Sequence, residues 1–277
     1  MLLLPKPPTT AKLFLTGATV GPLVDSLHNK VLLQYDFLPI YIPQPPASFF
    51  SSSSDAAAAA ATADPILCTS WVIPPLLGVA YVVLGGILPR IMENLIVVPM
   101  RRVFNSQGND VKAKPTSQQQ LQTRAIIAVV TTALIIKLSE LLQTQSLPLL
   151  PDGSYPDSEQ SLAIMLFAAL GQWLLLDGTP AALLAASITS IGGPLSELPF
   201  VAGGFWHYIP SAADYLPLAS LPESGGGLLD SLAKAVLGDG YSDLALSSIT
   251  GPCYFAVTMD SIALGRWFDA QDGEDEN

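Results

Sequence analysis

Titratable and amide side chains that fall inside otherwise apolar stretches are where any chemistry of this chain has to begin. Asp25 and His28 stand three apart, as do Lys137 and Glu140. On a helix that spacing puts both members of a pair on one face, so Lys137 and Glu140 can neutralise each other. A His–carboxylate pair such as His28 with Asp25 would respond to pH. Glu197 ends another apolar run, and Gln172 lies within a third. Asp260 sits halfway along GPCYFAVTMDSIALGRWF, too far from either end to reach water. Either it faces a protein interior and bonds to Ser, Thr or a water, or this run is not a simple span. Three uses are open for Asp25, His28, Lys137, Glu140 and Glu197. They snorkel singly to an interface, share a polar pocket for a lipid headgroup or small polar ligand, or relay protons.

The motifs of soluble enzymes are missing: the sequence holds no G-x-S-x-G, P-loop, H-E-x-x-H or G-x-G-x-x-G. Two histidines, His28 and His207, are too few for a His-rich iron site. Two cysteines, Cys68 and Cys253, make neither a zinc site nor a disulfide framework. They would pair only if their helices were neighbours.

These residues need elements to hold them, and composition says which. Of 277 residues half are hydrophobic and 13% charged, with a mean hydropathy of +0.45. Soluble domains carry about 25% charged residues, so a water-soluble globule is excluded. Disorder needs low hydrophobicity. Nucleic-acid binding needs basic charge, whereas 12 basic against 23 acidic residues give −11.

Six apolar runs follow, at about 12–28, 71–89, 125–142, 160–176, 180–201 and 251–268. Each is near the length that crosses a bilayer as a helix. The first carries Asp25 and His28 and has no small-residue cleavage site close behind it, so it reads as a mature span rather than a signal peptide. If both ends lie on one side, that side collects Lys6, Lys12, Arg90, Arg101, Arg102, Lys112, Lys114, Arg124 and Arg266. The other side keeps Lys30 and Lys234. This bias puts both termini in the cytoplasm. The expected fold is all-α: a polytopic six-helix transmembrane bundle covering 12–268, after a short tail at 1–11.

Between the runs, 51–64 is low-complexity sequence. The stretch from about 205 to 250 is Gly-rich and acidic, and its SGGGLLDSLAKAVLGD segment reads as an amphipathic helix at a membrane surface. Residues 269–277 read as a solvated acidic tail. Gly17-x-x-x-Gly21, the Ala182–Ala186–Ser190 stripe and Ser261 with Gly265 mark faces where helices approach closely.

The second run, Ser70-Trp71-Val72-Ile73-Pro74-Pro75-Leu76-Leu77-Gly78, resembles the S/A-W-W-V-P-P-C-C-G stretch of the Insig (insulin-induced gene) family. LAIMLFAALGQWLLLDGTPAALLAASITSI resembles that family's L-x-L-A-A-L-S-L-G-L-W-W-T-F-D stretch and the helix after it. GPCYFAVTMDSIALGRWF resembles its closing helix, which ends in G-N-I-G-R-Q-L. The resemblance covers all six runs and leaves out loops near 41–65, 99–120 and 205–250, which look like insertions. It implies a non-enzymatic protein of the endoplasmic reticulum membrane that binds sterol or another lipid and holds back a membrane client protein. It also implies a client-binding Asp177 and a Trp71 beside the lipid pocket, where anchoring of an aromatic ring at the interface is the alternative. Here Asp177-Gly-Thr-Pro replaces the family's D-R-S-R-S-G, and that turn chemistry explains Asp177 equally well.

The leading expectation is therefore a lipid- or sterol-binding regulator with no cofactor beyond a bound sterol or glycerolipid. Trp71, Gln172 and Asp260 would be its lipid-binding residues. Its partners would be membrane lipid and a membrane client, with no nucleic acid. One alternative is a small transporter or channel built on a helix broken at Gly192-Gly193-Pro194 near Glu197. Another is a structural subunit of a larger membrane complex. A plastid membrane is the alternative location.

Overall fold

The computed structural model describes residues 4–43, 65–99, 117–150, 152–221 and 227–274. The low-complexity stretch 51–64 and most of the 99–120 insertion lie outside these residues, as do Arg101, Arg102, Lys112 and Lys114.

Seven helices dominate the described residues: α1 Pro7–Leu32, α2 Ile73–Leu95, α3 Gln118–Gln143, α4 Ser158–Leu176, α5 Pro180–Ala202, α6 Leu228–Leu237 and α7 Thr250–Glu274. Four of them, α2 to α5, are long and apolar enough to cross a membrane, and the protein is an integral membrane protein. Starts are chemically marked. Ser117 with Gln120 and Asp157 with Gln160 form reciprocal capping boxes. Thr179 caps α5 just ahead of Pro180, whose fixed φ suits a first helical turn.

α1 and α7 run longer than the apolar runs that announce them. Their polar ends are satisfied by each other. Thr9 Oγ1 donates to Asp272 at 2.7 Å and Asp269 at 2.9 Å, Lys12 Nζ donates to Asp272 at 2.6 Å, and Arg90 pairs with Asp269. The expected solvated tail from 269 is thus helical to Glu274 and bonded to α1 and α2. The start of α1 and the end of α7 consequently share one end of the bundle, called here the near end.

Close helix contacts fall where small residues permit them. A Cβ on Gly17 or Gly21 would run into Leu77 of α2, and one on Gly85 into the Ser261 carbonyl of α7. Ala181, Ala182, Ala185 and Ala186 form a buried face on α5. α2 has a π-helical stretch, Val82–Ile87, where it meets α7.

The all-α expectation needs one correction. At the far end two strand pairs form: β1 Leu33–Tyr35 with β4 Trp206–Tyr208, and β2 Pro39–Ile42 with β3 Leu67–Ser70, both antiparallel. The chain leaving α1 and α5 there has backbone donors and acceptors that helices no longer satisfy, and pairing supplies the partners. α6 matches the amphipathic expectation, with Leu228, Leu229, Leu232 and Val236 exposed along one face. Its Asp230 accepts a hydrogen bond from Tyr241.

Candidate functional site

The last turns of α1 carry Asp25, His28 and Asn29 into the bundle. His28 is buried, with Nδ1 2.9 Å from Ser139 Oγ of α3 and 3.8 Å from Cys253 Sγ of α7. Its Nε2 lies 3.4 Å from Asp25 Oδ1. Asn29 donates to Asp25 and, at 2.6 Å, to the Tyr35 oxygen. A hydroxyl, an imidazole and a carboxylate in this order suggest an acyl-transfer relay. The Ser139 hydrogen, however, goes to the Ile136 carbonyl at 2.7 Å. Ser139 therefore accepts from His28 and is not activated by it, and the arrangement fastens α1 to α3.

One position along α3, buried Glu140 takes Lys30 of α1 on one oxygen at 3.0 Å and Lys137 on the other. The expected Lys137–Glu140 pair is present, and Lys30 joins it from another helix. Glu197 stands apart in a cage of phenols: Tyr208 donates to it at 2.7 Å and Tyr254 at 2.8 Å. The five far-end groups thus resolve into three satisfied clusters. His28, Glu140 and Glu197 are buried rather than turned out to the surface.

Asp260 is 2% exposed. Where a serine, a threonine or a water was expected, its partner is Tyr81, whose hydroxyl donates to Oδ2 at 2.7 Å. A phenol reaches across a helix interface that a shorter hydroxyl would not span. Oδ1 has no hydrogen-bond partner among the described residues. Gln172 works between helices as expected, donating to Thr132 at 2.8 Å and Thr131 at 3.0 Å on α3. Thr132 passes its own hydrogen to the Ala256 carbonyl of α7 at 3.1 Å. Gln172 thus engages α3 and Asp260 engages α2. Trp71 joins neither group: it is 68% exposed in the turn before α2. Asp177 is 6% exposed at the side chain, where it pairs with Arg266 of α7 and accepts from Thr179.

Gly192, Gly193 and Pro194 lie within an uninterrupted α5, with Gly193 against the Tyr254 ring, so the broken helix expected of a transporter is not there. Cys68 and Cys253 are both free and buried. Cys68 belongs to β3 while Cys253 lies beside His28.

Tyr81, Tyr208, Tyr254, Ser139 and Asn29 escaped the reading of the sequence, and Lys30 was read only as a charge outside the runs. One signal was available for the tyrosines. A buried phenol needs an acceptor, and buried carboxylates in an apolar bundle are the acceptors at hand.

Fold and site together define a polytopic helical membrane protein whose interior polar groups are held by side chains from neighbouring helices. By shape the chain is similar to the mycobacterial Insig homolog MvINS from Mycobacterium vanbaalenii, with TM-score 0.48 and 17% identity over 94% of this chain and 93% of that one. It is similar to the cross-linked MvINS trimer as well, with TM-score 0.49 and 17% identity over 96% of each chain. No family model and no curated protein matches it.

Proposed function

We propose that this protein is a non-enzymatic, membrane-embedded lipid receptor, with a sterol as the ligand class, that regulates a membrane client. The observation that carries this reading is the Asp260 carboxyl. One oxygen holds Tyr81 and the other is unpartnered among the described residues, deep in an apolar bundle. An unmet buried acceptor costs about 1–3 kcal/mol, and a lipid hydroxyl entering between helices would meet it. The π-helical stretch of α2 begins right after Tyr81, and such stretches often mark functional sites. Sterol as the class, the endoplasmic reticulum as the membrane and a client near Asp177 all follow from the Insig resemblance of the sequence.

The six-span arrangement with cytoplasmic termini belongs to the same proposal. Its support is the joint near end of α1 and α7 together with the excess of Lys and Arg there. In that arrangement a client meets the Asp177–Arg266 pair from the cytoplasmic side.

The test is lipid extraction from the purified full-length chain, read by mass spectrometry, with a photoreactive sterol as probe. One sterol or hydroxylated glycerolipid per chain is expected, and Asp260→Ala should reduce its retention about tenfold. Lipid that merely mirrors the surrounding bilayer, in wild type and variant alike, would sink the proposal.

A further inference from the structure

Among the described residues the internal pairings leave two cations over, Lys234 on α6 and Arg124 on α3, and Arg124 is the one that belongs to the bundle. It lies on the exposed side of the first turns of α3, and its guanidinium has no ion-pair or hydrogen-bond partner among the described residues. It lines a narrow cleft of about 20 Å³ with Arg266 and Asp177, and Leu121, Leu176, Met259, Ile262 and Ala263 complete the walls. Two guanidinium groups against one carboxylate leave the cleft with one net positive charge. Arg266 gives Nη1 to Asp177, which leaves further N–H groups of a five-donor fork to bond elsewhere.

Three properties select the ligand. The cleft's enclosed part admits about one water-sized group, enough for a single oxyanion oxygen, while the rest of a ligand would lie along the open side. A guanidinium fork matches the geometry of a phosphate, and two arginines line this cleft. The other walls are apolar: Leu121 of α3 and Leu176 of α4 stand near ends of their apolar runs, where a headgroup would meet acyl chains, and Met259, Ile262 and Ala263 continue along α7 towards the middle of its run. We infer that this cleft binds the phosphate of an anionic phospholipid, with Arg124 and Arg266 as its ligands and an acyl chain running down the apolar walls. The inference rests on the chain lying in a bilayer and is independent of the sterol and of Asp260.

The experiment uses full-length protein in nanodiscs of phosphatidylcholine with or without 20% phosphatidylglycerol, a composition chosen for the test and roughly that of a mildly anionic membrane. Native mass spectrometry counts the retained lipid. Wild type should keep one phosphatidylglycerol per chain, and Arg124→Gln should keep about tenfold less while its sterol retention stays unchanged. Arg124→Lys, which preserves the charge and loses the fork, should fall between. Arg266 is the poorer target because its loss also strands Asp177. Equal retention by wild type and Arg124→Gln would overturn the site. Displacement of the lipid by millimolar inorganic phosphate at matched ionic strength would overturn a phospholipid as its source. Loss of sterol retention with intact phosphatidylglycerol retention would count against the function proposed above and leave this site standing.

Discussion

Tyr81 of α2 donates a 2.7 Å hydrogen bond to Asp260 of α7, joining residues 179 positions apart in the middle of the bundle. This bond is the only one that a side chain among the described residues gives to either Asp260 oxygen. It fixes how α2 and α7 face each other and leaves one oxygen turned to whatever enters between them.

Tyr81→Phe removes the donor and keeps the ring. Asp260 then has no partner on either oxygen, and we expect a loss of about 1–3 kcal/mol of stability. Thermal unfolding in detergent reads it. An unchanged melting temperature would mean that the bond contributes nothing.

Gly85→Ala tests the α2–α7 approach, because the added methyl would collide with the Ser261 carbonyl. Backbone cannot yield as a flexible side chain does, so a cost of about 1–3 kcal/mol is expected. Gly171→Ala is the control: a Cβ there meets nothing within 4 Å, and the substitution should be neutral or slightly stabilising.

Acid should loosen the near end. The hydrogen bond from Lys12 holds the Asp272 carboxyl below the usual carboxylate range, helped by Thr9 against the opposing effect of burial. A folded value below the unfolded one adds stability above about pH 4, and that stability disappears as pH falls through the folded value. Wild type should therefore lose melting temperature on acidification faster than Lys12→Met, the two converging at low pH. Parallel curves would remove Lys12 from the account.

Arg266→Met leaves Asp177 buried with Thr179 as its remaining side-chain partner. Because Arg266 itself is partly exposed, a loss of about 1–3 kcal/mol is expected, below that of a fully buried pair. Adding Asp177→Asn should restore part of it, and a double-mutant cycle measures the coupling. Strict additivity would show that the pair is not coupled.

Much of the scaffold was legible in the sequence. Apolar runs long enough to cross a bilayer must become helices, since no other open structure satisfies its backbone there. The runs placed the starts of α4 and α5 to within two residues, whereas α3 begins at Gln118, seven residues ahead of its run, behind a capping box that hydropathy does not show. The small residues at 17, 21, 182, 186, 261 and 265 marked the faces that pack, because a contact that needs the absence of a side chain is written in one residue. Lys137 with Glu140 and Asp25 with His28 were readable for the same reason: spacing along one helix settles their meeting.

Partners from other helices were not readable. That Lys30 reaches Glu140, that Tyr208 and Tyr254 cage Glu197, and that residues 33–35 pair with 206–208 depend on helix rotation and offset. Those are set by side-chain packing summed over the bundle and leave no local signature. The same holds for the extra turns of α1 and α7, whose polar residues look like tails until Thr9, Lys12, Asp269 and Asp272 are seen to satisfy one another. The sequence alone thus determined that Asp260 must face inward, because a carboxyl halfway along an apolar run has no water within reach. Only the tertiary structure decided that Tyr81 would meet it and that one oxygen would be left over, because a hydrogen bond across two helices exists only once both are oriented.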